Sequence, residues 1–112
     1  MTNNSPFRIQ GSTQTITAAV AAPTAVQLIG DPTGEMTINI ANVGTVWCFF
    51  GFGATAALAL ANAVIPTVGV PSTAQPIPPN TMVAYTIPAN SFVTAVATST
   101  TAALYFTPGY GI

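Results

Sequence analysis

Hydrophobic and polar positions alternate most cleanly over residues 35–41, where Met36, Ile38 and Ile40 are separated by Thr37, Asn39 and Ala41. A period of two with one apolar side predicts a strand that buries one face. Residues 13–20 repeat the pattern: Thr13, Thr15 and Thr17 alternate with Gln14 and Ile16, which reads as a strand with one polar face. A short strand over residues 25–29 is closed by Gly30-Asp31-Pro32-Thr33-Gly34, whose Asp, Pro and Gly spacing matches a type I turn. Residues 46–52 are apolar on both sides, with Trp47 and Phe49 on one and Cys48, Phe50 and Phe52 on the other. Such a strand is either central in a sheet or has its outer face against a partner, and the central position is the simpler reading.

The rest of the chain is punctuated more densely. Residues 54–64 are rich in Ala and Leu, but Thr55, Asn62 and the flanking β pattern favour strand or loop over a short helix. Residues 65–81 hold Pro66, Pro71, Pro76, Pro78 and Pro79, which restricts them to an irregular or edge segment. Ile77-Pro78-Pro79-Asn80-Thr81 is echoed ten residues on by Ile87-Pro88-Ala89-Asn90-Ser91, so the same turn chemistry is expected at both ends of a strand over residues 82–86. Residues 92–97 and 102–107, joined by a Thr-Ser-Thr-Thr turn, read as a final hairpin.

Short runs between turn signals predict an all-β fold, a sandwich or barrel, with seven to nine short antiparallel strands in two packed sheets. Composition agrees: 18 Thr, 10 Val and 9 Ile make up a third of the 112 residues, while Leu occurs four times. We expect an N-terminal arm over residues 1–12 and one sandwich domain over residues 13–112. Met36, Ile38, Ile40, Val83 or Tyr85, Val93 and Leu104 are expected in its core.

Charge changes the picture most. The only ionic side chains are Arg8, Asp31 and Glu35, and there is no His. One Arg cannot neutralise a phosphate backbone, so no nucleic acid is expected as a partner. Catalysis is not expected either. General acid–base chemistry has only Asp31 and Glu35 to draw on, and Ser or Cys nucleophiles lack a base. No catalytic, cofactor-binding or metal residues are therefore assigned; the two carboxylates read as turn chemistry rather than a calcium site. The single Cys48 excludes an intrachain disulfide and reads as a small buried hydrophobe rather than a reactive thiol.

Residues 43–65 carry no charge and are long enough to cross a bilayer, which keeps a small membrane-spanning or membrane-active protein as an alternative. Gly51 and Gly53 interrupt the run, and no Lys or Arg flanks it, so a membrane is not the expected partner. A tail-associated or other surface-binding β module is a further alternative. Its ice-binding form needs a regular Thr array, and Thr13, Thr15 and Thr17 supply one row.

Three stretches carry a family resemblance: the turn Asn42 to Thr45 before an aromatic strand ending in Phe52-Gly53, the segment from Pro79 to Ala89, and the closing Leu104 to Gly111. Over residues 25–112 the chain resembles small β-sandwich virion proteins of tailed bacteriophages. The resemblance implies a jelly-roll-like fold and a decoration or cement protein on the capsid exterior, made in the host cytoplasm. Its partners would be the major capsid protein and further copies of itself on the lattice. Candidate contact residues are Phe7, Arg8 and Ile9 of the arm, Trp47 and Phe49 of the aromatic strand, and Tyr110 and Ile112 of the tail.

Overall fold

The computed structural model describes residues 8–9, 11–28 and 35–110. Along them run β1 (Arg8–Ile9), β2 (Gln14–Ala18), β3 (Val26–Gln27), β4 (Glu35–Asn42), β5 (Cys48–Gly53), α1 (Ala56–Asn62), β6 (Gln75–Ile77), β7 (Thr81–Pro88), β8 (Phe92–Ala97) and β9 (Ala102–Tyr110). All strand pairings are antiparallel. In the first sheet β1 and β2 meet one side of β9 in succession, β4 lies on its other side, and β7 lies beyond β4. The second sheet runs β3-β8-β5-β6. The chain changes sheet at every connection except β1–β2 and β5–β6. With β1 and β2 taken as one interrupted strand, this is a two-sheet, eight-stranded jelly roll.

The inward rows of both sheets meet in one core. Met36, Ile38, Ile40, Val93 and Leu104 are buried as expected, alongside Phe50, Ile77, Ile87 and Phe106. Val83 and Tyr85 pack against this core but stay partly exposed, because β7 is the edge strand of its sheet and no described strand pairs with its outer side.

Residues 92–97 and 102–107 are strands but not a hairpin: β8 belongs to the second sheet and β9 to the first, so residues 98–101 arch across the end of the sandwich. The reason is burial. Val93 through Ala97 are buried on both sides of the strand, and among the described residues it is the second sheet that has cover on its outer face. Thr94 illustrates that cover, since its hydroxyl donates to the Pro23 carbonyl at 2.7 Å.

Residues 54–64 contain the helix α1, in place of the expected strand or loop. The two residues that argued against a helix are the ones that hold it. Thr55 is the N-cap, its side chain accepting from the Leu58 N–H at 3.2 Å, and Asn62 donates to the Phe52 carbonyl at 2.9 Å. The helix lies on β5 where side chains are missing: a Cβ on Gly51 would sit 2.5 Å from the Ala63 nitrogen, and one on Gly53 2.6 Å from the Leu58 Cβ. Ala59 and Ala63 face that bare backbone and are buried. Thus β5 is central in its sheet, and its outer face is covered by its own chain.

The echoed turns are alike in structure. Asn80 and Asn90, at the two ends of β7, both adopt left-handed backbone angles, with φ of 52° and 62°. Asn tolerates this region because its short polar side chain can bond locally. Asn80→Gly is therefore expected to leave the urea unfolding midpoint nearly unchanged. Asn80→Val is expected to lower stability by about 1–3 kcal/mol.

Candidate interaction surfaces

The two outer faces of the sandwich differ. Over the second sheet, α1 and the segment around Pro23 close the centre, and Thr94 and Val96 are buried beneath them. Over the first sheet no element of the described chain is laid across the strands. Register alone decides which residues form this open face. Thr37, Asn39 and Ala41 of β4 lie opposite Thr86, Ala84 and Met82 of β7 on one side. On the other side they lie opposite Gly109, Thr107 and Tyr105 of β9, and Tyr105 in turn lies opposite Thr15 of β2. None of these side chains is ionic; the next outward position of β4, at the end of the row, is Glu35, opposite Pro88.

Hydroxyls on this face are partly satisfied by one another. Thr13 and Thr107 share a hydrogen bond of 2.8 Å, and Thr37 and Thr86 one of 3.5 Å. Such cross-strand Thr pairs lower the desolvation cost of covering the face. The polar row of β2 was legible in the sequence, as was that of β4. That they merge into one four-strand surface was not, because strand pairing brings them together.

The backbones of Arg8 and Glu35 lie at one end of the first sheet. Arg8 stands opposite Tyr110, one position beyond the Ile9–Gly109 pair, and Glu35 stands two positions beyond Thr37, which is also opposite Gly109. The opposite end carries the 43–47 and 98–101 loops, tied by a hydrogen bond from the Thr98 N–H to the Trp47 carbonyl at 3.1 Å. There Val43 and Trp47 are about half exposed, at 57% and 48%, and Met82 is 65% exposed.

The described backbones of the sequence-derived contact residues fall in two places. The backbones of Arg8, Ile9 and Tyr110 share the β1–β9 ladder at the end where β4 begins. Trp47 lies at the opposite end, and Phe49 is half-buried in β5. Phe7 and Ile112 lie outside the described residues, as do Asp31 and the turn expected over residues 30–34.

Cleft chemistry is weakly represented. Among the described residues no three His, Cys, Asp or Glu side chains come together as a metal site, and every buried side-chain nitrogen or oxygen has a partner. Burial pushes the Cys48 thiol above its ordinary pKa, and its Sγ lies 3.8 Å from both the Asn42 Nδ2 and the Val46 carbonyl oxygen. That is the environment of an inert structural thiol. No helix among the described residues is long and apolar enough to cross a membrane, and residues 43–65 are divided between β5, α1 and their connections. Comparison with protein-family models, with curated proteins and with solved structures finds no match.

Proposed function

We propose that the chain is a virion structural protein that binds the outside of a bacteriophage capsid and staples neighbouring major capsid subunits. The observation that supports this most is the outer face of the first sheet, which no described element covers and whose only described ionic side chain is Glu35 at the end of the β4 row, on a sandwich whose other face is closed by its own chain. Jelly rolls also serve as lectin and cupin domains, so the fold by itself does not select the role. The surface chemistry does more. A charged side chain buried at a contact costs several kcal/mol of desolvation unless it is paired. A face whose middle is made of Thr, Asn, Ala, Gly, Met and Tyr, with Glu35 at its end, avoids most of that cost, and interface cores are depleted of charge in the same way. Bridging several subunits then adds avidity without new contacts.

Attachment of this kind depends little on ionic strength. Purified particles washed in rising sodium chloride are expected to retain the 11.3 kDa chain, to hold it more firmly in sulfate, and to lose it in guanidinium. Release by moderate sodium chloride would show that Arg8, Asp31 or Glu35 dominates the contact. As a variant, Thr107→Lys sets an unpaired charge in the middle of the face and should weaken occupancy by about tenfold or more, with an unchanged β circular dichroism spectrum. Unaltered occupancy would remove this face from the contact.

A further inference from the structure

We infer that β7 is the dimerisation edge of this protein, pairing antiparallel with β7 of a second copy about a two-fold axis at Ala84. The inference is independent of the capsid reading. It starts from the contrast among the sheet edges. β3 has two residues, β6 has three with Pro76 at its middle, and the β1–β2 edge is interrupted between Ile9 and Gln14. β7 runs for eight residues in unbroken register with β4, carries no charge, and has its only proline at its last position. Soluble proteins blunt edges with charge, proline, bulges or brevity. Three edges here are blunted and β7 is not.

The hydrogen-bond alternation shows what the edge offers. Val43 donates its N–H to the Ala103 carbonyl at 3.2 Å, one step beyond the Asn42–Leu104 pair. Odd residues of β4 therefore direct their backbone groups to β9 and even residues direct theirs to β7. Thr81, Val83, Tyr85 and Ile87 answer the even residues. The N–H and C=O groups of Met82, Ala84 and Thr86 are left pointing off the edge.

These three positions are symmetric about Ala84, which is what a two-fold pairing requires. Ala84 meets its own copy, and Met82 meets Thr86 of the second chain, each facing pair exchanging both N–H···O bonds. A charge on the axis would meet its like, and here a methyl group stands there. On the inner side Val83 and Tyr85, both left partly exposed, would gain cover from each other across the seam. The blunted outer edges stop growth at two copies, and the open faces of the first sheets join into one continuous surface.

The test is the solution mass of the full chain by light scattering over about a hundredfold range of concentration, with amide hydrogen exchange. The expected mass is twice that of one chain, with slow exchange at Met82, Ala84 and Thr86. Ala84→Pro removes the axial N–H, and Ala84→Lys sets like charges across the axis; each should halve the mass while the β spectrum stays. If Ala84→Pro does not fold, Ala84→Lys, whose side chain stands in solvent, decides the matter. Single-chain mass for the wild type with fast exchange at the three amides would overturn the inference. So would a dimer that survives Ala84→Lys, or protection that appears only when capsid protein is added.

Discussion

Replacing Phe50 with Ala is expected to cost about 3–5 kcal/mol, among the largest losses any single truncation of this core can produce. Phe50 is 1% exposed and sits between the sheets. Its ring centroid lies 5.1 Å from Tyr85, 6.0 Å from Phe106 and 6.3 Å from Phe52. Those partners come from both sheets, so the truncation opens a cavity that rigid strands on either side cannot close. Domains of this size are stable by about 5–15 kcal/mol, so the variant stands near the edge of folding. Urea unfolding measures the loss. A midpoint within error of wild type would mean that the aromatic cluster is not the centre of the core.

Asn42→Ala should be nearly as severe, through hydrogen bonds rather than volume. Asn42 is 1% exposed, yet it is polar and ends β4 where the chain leaves one sheet for the other. Its Nδ2 donates to the Val46 carbonyl at 3.1 Å and to the Ile77 carbonyl at 3.3 Å, and its Oδ1 accepts from the Gly44 N–H at 2.9 Å. One side chain therefore shapes the arch into β5 and ties it to β6. Removal takes one bond each from the Gly44 N–H and the Val46 and Ile77 carbonyls, and a group left unsatisfied costs about 1–3 kcal/mol where water cannot replace the bond. We expect a loss of about 3–5 kcal/mol. The exposed neighbour Thr45 is the control, and Thr45→Ala should change stability by no more than about 0.5 kcal/mol. A loss under about 1 kcal/mol for Asn42→Ala would show that water reaches the arch.

The same residue marks where sequence reading stops. Asn42-Val43-Gly44-Thr45 is legible as a turn, since Asn and Gly are turn formers. Nothing in the four letters shows that the turn spans two sheets, or that Gly44 is required by Ala102, whose Cβ would lie 2.5 Å from a Cβ added there. Of the candidate contacts, Trp47 lies just before β5 and is about half exposed, which an apolar run read as a central strand does not reveal. The open face of the first sheet was missed, because its residues are individually unremarkable Thr, Ala and Asn positions.

What the sequence determined by itself is local. Period-two alternation over residues 13–17 and 35–41, and β-branched composition, made strands of these segments, because alternate side chains of an extended backbone point to opposite faces. Asn80 and Asn90 set left-handed turns at both ends of β7 through their own side-chain chemistry. The scarcity of charge is likewise a property of the letters alone. Tertiary structure decided partnership. Alternation is the same in a hairpin and in an arch, so only burial of β8 on both faces could send β8 and β9 to different sheets. Seven residues are too few to hold a helix alone, and α1 exists because Gly51 and Gly53 leave it a bare strand to rest on. That docking closed the second sheet, and among the described residues nothing comparable lies over the charge-poor outer face of the first.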